Sequence, residues 1–284
     1  MAVFLDSELT AQERDRHTAK YVVLPMPLER TVSYGSGAEQ GPAAIIAASD
    51  QLERYYKGVE PCAAGIFTEP AIDCKTGSLP EVMERLAART EAAVRAGKVP
   101  VTLGGEHAIT YGAVMGVSRA LGGETLGIVQ IDAHADMRVA YQGEPHSHAS
   151  VMNLVTEAGH RLAQFGVRAL AREEDELRRK RNVFFVDAEE LVTQNIMEID
   201  LPEDFPKNVY VTFDVDGLDP SIMPATGTPV PGGLGYYQSL SLIKSALKGR
   251  KCVGIDVNEL APKPGSQASD FTAAQITYAL MSMA

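Results

Sequence analysis

The segment QIDAHAD, residues 130–136, closes an apolar run with Asp132, His134 and Asp136 at every second position. Three other apolar runs end in the same way: VTLGGEH in Glu106 and His107, NVYVTFDVD in Asp214 and Asp216, and KCVGIDVNE in Asn258 and Glu259. Alternate residues of an extended chain share a face, so Asp132, His134 and Asp136 are expected to point to one place, as are Asp214 and Asp216. Any one of these aspartates alone would serve as a helix cap or a turn residue. Capping does not explain why D-x-H-x-D and D-x-D both follow continuous apolar strands, with GGEH after a third.

The set comprises four carboxylates, Asp132, Asp136, Asp214 and Asp216, and two imidazoles, His107 and His134. Four negative charges converging in a semi-buried crevice repel one another and take up protons unless a cation compensates them. One divalent ion leaves the cluster negative, whereas two neutralise its formal charge. If two carboxylates bridge, six residues serve both ions and leave room for a bridging water. Ligation rich in oxygen, with some imidazole and no thiolate, suits Mn²⁺ best among the hard ions, with Fe, Co, Ni and Zn left open by ligand type.

These side chains need strands to carry them. Apolar runs recur at 21–25, 99–105, 126–131, 161–167, 182–186, 208–215 and 251–257, with a weaker one at 64–68. Several are hydrophobic throughout, the pattern of strands buried on both faces. Amphipathic segments lie between them. One runs over 79–97, with Val82, Leu86, Arg89 and Ala93 beginning its stripe; others cover 42–56, 235–249 and 270–284. Strand and helix alternate along the chain, which predicts a three-layer α/β/α fold around a mainly parallel sheet of about eight strands. In such a sheet the ligand site lies beyond the carboxyl ends of the strands.

With 284 residues, 45% hydrophobic and 22% charged, and no linker-like tract, residues 1–284 are expected to form one domain. The net charge of −11 argues against a nucleic-acid binder and suits a cationic partner. The one dense basic run, LRRKR at 177–181, follows REEDE at 172–176, the pattern of a solvated helix with paired charges. Cys62, Cys74 and Cys252 form no CxxC pair, so reduced thiols are expected. The N-terminus meets charge after five residues and no run of about 18 apolar residues could span a membrane. A soluble cytoplasmic protein is the expectation. The glycines of YGSGAEQGP, 34–42, are spaced GxGxxxG rather than GxGxxG, and Pro42 there is expected to open a helix instead of a phosphate loop.

Taken together, GGEHAIT, QIDAHADMR, PHSHAS, TFDVDGLDPSIMPATGTPVPGGL and GIDVNELAP resemble the motifs of the ureohydrolase family, which includes arginase and agmatinase. The resemblance runs from Gly35 to the last helix, with the motifs in the same order. It implies two Mn²⁺ per chain, one held by His107, Asp132, Asp136 and Asp214 and the other by Asp132, His134, Asp214 and Asp216. His148 matches the family's proton-shuttle histidine, whereas its neighbour His146 does not and is expected at the entrance. Glu259 matches the carboxylate that holds the substrate guanidinium. The implied chemistry is hydrolysis of a guanidino compound: the two metals activate water, Asp136 passes its proton to the leaving amine, and urea is released. His148 then exchanges protons with solvent. A homo-oligomer, trimer or hexamer, is implied as well.

The loop MRVAYQGEPHSHASVMNLV lacks the Ser-Gly-Asn-Leu-His stretch of arginases and is closer to agmatinase-like sequences. Agmatine, cleaved to putrescine and urea, is therefore the first expectation, and 4-guanidinobutyrate or another ω-guanidino acid is the nearest alternative; Arg138 could in principle pair with such a carboxylate, but an exposed or structurally paired arginine is the expectation. A single-zinc deacetylase-like enzyme and a catalytically silent subunit are alternatives of other classes. The presence of both His107 and a complete D-x-H-x-D argues against the first, and the retention of every ligand against the second. Two departures from the family pattern are Glu106, where many relatives carry Asp, and a longer loop after Glu259.

Overall fold

The computed structural model describes residues 2–284. Eight strands form one sheet: β1 (Tyr21–Met26), β2 (Ile66–Thr68), β3 (Val99–Gly104), β4 (Gly127–Ile131), β5 (Arg161–Phe165), β6 (Phe184–Val186), β7 (Asn208–Asp214) and β8 (Lys251–Asn258). All pair in parallel, in the order β2-β1-β3-β8-β7-β4-β5-β6. Every expected strand is present, including the weak candidate. The central strands are buried along nearly their whole length, as a sheet covered on both faces requires.

The covering helices are α1 (Gly41–Ser49), α2 (Leu79–Arg95), α3 (Ile109–Ala120), α4 (Val151–Glu157), α5 (Arg172–Lys180), α6 (Ala188–Thr193), α7 (Tyr236–Ala246) and α8 (Ala268–Met281). They divide between two apolar cores. One joins Ile45 of α1, Leu191 of α6, Leu242 of α7 and Ile276 of α8; the other joins Leu86 of α2, Val114 of α3 and Val155 of α4. No described helix is long and apolar enough to cross a membrane.

The strand order places the site. From β4 the chain turns outward to β5, and from β7 it turns the other way to β8. Adjacent strands whose connections diverge leave a crevice at their carboxyl ends. Asp132 follows β4 and Asp214 ends β7, so both open into that crevice.

Three expectations change in detail. Helix α1 begins at Gly41 rather than Pro42 and stops at Ser49 instead of running to Tyr56, because the Ser49 hydroxyl accepts the Leu5 amide at 2.7 Å and Leu52 turns into the core. On α2 the stripe is completed by Met83 and Thr90, while Arg89 points outward. Helix α5 is less solvated than its charges suggest. Arg178 is only 2% exposed, pairs with Asp175 at 2.9 Å and Asp187 at 2.7 Å, and stacks 3.7 Å over the Phe185 ring.

Breaking a buried ion pair leaves its partners uncompensated. Arg178→Ala is expected to cost about 3 kcal/mol in denaturant unfolding, the low end for such pairs because both acids keep some contact with water. Arg172→Ala on the same helix, whose side chain is 87% exposed, is expected to leave the midpoint unchanged.

Candidate metal centre and cleft

The end of β3 is shaped by two glycines. A Cβ on Gly104 would lie 2.0 Å from Asn258 Oδ1, and one on Gly105 would lie 2.0 Å from the Leu28 carbonyl. Their absence lets β3 close against β8 and the Leu28 segment, which places His107 beside Glu259. The His107 amide donates to Glu259 Oε1 at 2.6 Å, and the Glu259 amide donates to the Gly105 carbonyl at 2.8 Å.

Strand alternation accounts for less of the geometry than the sequence suggests. Strand β4 ends at Ile131, and Asp136 has a φ of +52°, a left-handed conformation uncommon for a non-glycine residue. That turn aims the Asp136 carbonyl at the Met152 and Asn153 amides of α4, at 3.0 and 3.2 Å, and its carboxylate at His107. Asp216 lies in a 3-10 turn after β7, where its amide donates to Asp214 Oδ1 at 2.8 Å. Glu259 is also left-handed, with φ +65°. Such strain costs on the order of 1–3 kcal/mol per residue and gathers at functional sites.

All six expected ligands converge. His107 Nδ1 lies 3.0 Å from Asp132 Oδ2, 3.0 Å from Asp136 Oδ2 and 3.4 Å from Asp214 Oδ2. His134 Nδ1 lies 3.5 Å from Asp132 Oδ1 and 3.1 Å from Asp216 Oδ2. Two groups have the spacing to hold a cation, His107–Asp132–Asp214 and Asp132–His134–Asp216, and they share Asp132.

The electrostatics fit cations at these positions. Burial and the neighbouring Asp132 raise the Asp136 carboxyl to about 7, and burial with Asp216 and Asp132 lifts Asp214 well above the ordinary carboxylate range. Burial opposes charge on the imidazoles, yet Asp132 and Asp216 raise His134 to about 12, and three carboxylates raise His107 well above its usual value. The site thus draws positive charge from whatever titrates there. His107 Nδ1 is buried and makes no hydrogen bond despite the surrounding carboxylates, as expected of a nitrogen placed to bind a cation.

His148 and Glu259 line the inner cavity beside this cluster, which has room for about 20 Å³, one water-sized occupant. Glu259 is 9% exposed, and burial pushes its carboxyl up to about 8. His148 Nδ1 lies 3.0 Å from Thr31 Oγ1, and its ring meets Tyr141 edge-on at 5.4 Å. Burial, with the nearby His107 and His134, pushes its pKa down to about 4. Outside lies a cleft of about 420 Å³ lined by Arg138, Tyr141, Leu170 and Glu174 among others. His146, expected at this entrance, packs instead against Tyr111, 6.2 Å between ring centroids, and is not among the lining residues.

Several supporting residues escape a reading of the motifs. Gln130 Nε2 donates to Asp132 Oδ2 at 2.6 Å and Thr228 Oγ1 to Asp216 Oδ2 at 3.2 Å. Glu106 Oε2 accepts the Arg30 and Thr31 amides at 2.9 and 2.7 Å and so anchors the segment that holds His148. Arg168 ties down the carbonyls of Asp216, Leu218 and Val230. Gln130 is signalled by being a polar residue inside an apolar run; Thr31 carries no such signal.

A parallel α/β sheet carries at its switch-point crevice an acidic and imidazole cluster whose spacing could hold a metal ion. The arginase family profile matches residues 19–283, and the chain belongs to that family. It is 39% identical to the N(1)-aminopropylagmatine ureohydrolase of Synechocystis, over 98% of this chain and 92% of that one. It is 32% identical to the agmatinase of Pyrococcus horikoshii, over 95% and 93%. Its fold superposes on the agmatine ureohydrolase of Thermoplasma volcanium with a TM-score of 0.81 and 28% identity, covering 100% of this chain and 94% of that one. The chain is an amidinohydrolase.

A cation bound only by the folded protein stabilises it by mass action, about 2.7 kcal/mol at a hundredfold excess over Kd. Added Mn²⁺ is expected to raise the thermal midpoint, and Asp132→Ala, which removes the residue common to both groups, to abolish the rise.

Proposed function

We propose that the chain is a binuclear manganese enzyme that hydrolyses the guanidino end of a cationic substrate, agmatine first, to urea and an amine. The observation that carries this reading is the pair of ligand groups sharing Asp132, set beneath Glu259. It favours two ions over the single ion of a deacetylase-like enzyme. His107, Asp132, Asp136 and Asp214 would hold one ion, and Asp132, His134, Asp214 and Asp216 the other. Bound there, the ions supply a nucleophile at neutral pH by lowering the pKa of water. The whole chain would act as one unit on its single sheet, as a homo-oligomer.

The remaining work falls to this chain's side chains. A guanidinium carbon is a poor electrophile because resonance spreads its charge, so placement matters. Glu259, facing the inner cavity, pairs with the guanidinium and fixes its carbon over the metal groups. Asp136 takes the proton lost by the attacking water as its oxygen bonds to the guanidinium carbon, and passes it to the leaving nitrogen as the C–N bond breaks. His148, held by Thr31 at the inner end of the cleft, relays protons between the site and solvent.

The surroundings of Arg138 bear on the charge of the substrate tail. The Arg138 Nε lies 3.5 Å from Glu174, and its guanidinium sits 5.7 Å from the centroid of the Tyr141 ring. The Glu174 carboxylate, which lines the same cleft, offsets the charge of Arg138, and this supports a cationic tail over the carboxylate of 4-guanidinobutyrate. A second reading, agmatine extended by an aminopropyl group, is favoured by three relatives of that name at 36–39% identity.

Urea release from Mn²⁺-loaded protein offered agmatine, N1-aminopropylagmatine and 4-guanidinobutyrate separates these readings. Urea is expected from one or both cationic guanidines and not from the acid, with Asp132→Ala inactive. No urea from any of the three would refute the proposal. Glu259→Gln is expected to lower kcat/KM about 10- to 100-fold, the worth of a charge-assisted hydrogen bond.

A further inference from the structure

Two of the chain's arginines are firmly fastened: Arg178 is 2% exposed between two aspartates, and Arg168 ties down three carbonyls. Arg138 is held otherwise. It stands in the outer cleft with its side chain 43% exposed. Its Nε lies 3.5 Å from Glu174 Oε2, beyond ordinary hydrogen-bond length, and its guanidinium lies 5.7 Å from the Tyr141 ring centroid, within cation–π reach. An ion pair of this exposure adds little to the fold.

The two groups that receive Arg138 are fixed without it. The Glu174 side chain is 6% exposed; its Oε1 accepts the Met137 amide at 3.1 Å and its Oε2 the Ala171 amide at 2.8 Å. Tyr141 is set by a two-residue turn. Its amide donates to the Glu144 carbonyl at 3.0 Å, the Glu144 amide donates back at 2.9 Å, and Gln142 and Gly143 between them are left-handed, with φ +50° and +87°. The Arg138 amide donates to the Ala149 carbonyl at 3.0 Å, which pins the backbone and leaves only the side chain to move. A buried carboxylate beside an aromatic ring, both lining a cleft of about 420 Å³, has the make-up of a receptor for an organic cation. His148, which lines both this cleft and the inner cavity with Glu259, meets the Tyr141 ring at 5.4 Å.

We propose that Tyr141 and Glu174 form the subsite for an ammonium group on the substrate chain, and that Arg138 is the cation which occupies it until substrate arrives. The inference rests on the guanidine-hydrolase reading and names what would select its substrates, a second positive charge beyond the guanidinium. An ammonium takes the place of one cation with another, so Glu174 stays paired throughout. An uncharged chain has nothing to exchange. A carboxylate chain would have to draw Arg138 away and leave Glu174 buried without a counter-ion, which is costly.

The test is a ratio, kcat/KM for urea release from agmatine over that from pentylguanidine, which carries a methyl group in place of the ammonium. General damage to the site cancels in this ratio. Arg138→Met removes the competing charge and is expected to raise it about 3- to 10-fold. Glu174→Gln is expected to lower it about 10-fold. Tyr141→Leu, which leaves Glu174 in place, is expected to lower it about 3-fold, and it keeps the test decisive if the loss of an amide acceptor at position 174 unfolds the chain. Arg172→Ala removes a positive charge from the same helix but outside the cleft lining, and is expected to keep the parent ratio. A ratio unchanged or lowered in Arg138→Met overturns the inference, as does an equal rise in Arg172→Ala or a parent ratio near one. If the parent releases urea from no guanidine, N1-aminopropylagmatine included, the guanidine-hydrolase reading fails and the inference with it.

Discussion

The mutual repulsion of four aspartates organises this molecule. Asp132, Asp136, Asp214 and Asp216 are nearly excluded from water and crowd around two imidazoles. Without compensating charge, such a cluster either takes up protons or pushes the fold apart. The response is visible in the titrating groups, with aspartate carboxyls driven upward and both histidines strongly basic. A protein that kept these groups together for structure alone would gain little, since an apolar core of equal volume is at least as stable.

The fold meets this constraint by geometry. Connections that diverge after β4 and β7 open a crevice at the centre of the sheet, and the glycines after β3 bring a third strand end close. Two left-handed residues, Asp136 and Glu259, complete the site at some cost in backbone strain. Arg168 and Glu106 hold the loops from behind, so the functional side chains stand on strand ends and tethered turns rather than on free loops. Rigid support of this kind is what a site that must orient a resonance-stabilised cation requires.

Much of this architecture was legible in the sequence because parallel strands buried on both faces leave an unmistakable apolar run. The six cluster residues were legible because charge at the ends of such runs is rare. Where the reading erred, a tertiary contact had overridden a local pattern. Helix α1 stops at Ser49 because the N-terminal segment engages it, and Arg178 is buried because Phe185 and Asp187 receive it. Asp136 reaches the cluster through a left-handed turn that strand periodicity does not contain. Thr31 and His148 are 117 residues apart, and Thr212 and His107 are 105 apart. Contacts of that kind depend on strand order, which one sequence does not display.

The central claim is that the carboxylate cluster exists to hold two cations. Anomalous X-ray scattering at the manganese edge, from crystals of the Mn²⁺-loaded protein, tests it most directly. The account predicts two peaks per chain, one against His107, one against His134 and both in contact with Asp132. A single peak, or none, would contradict it.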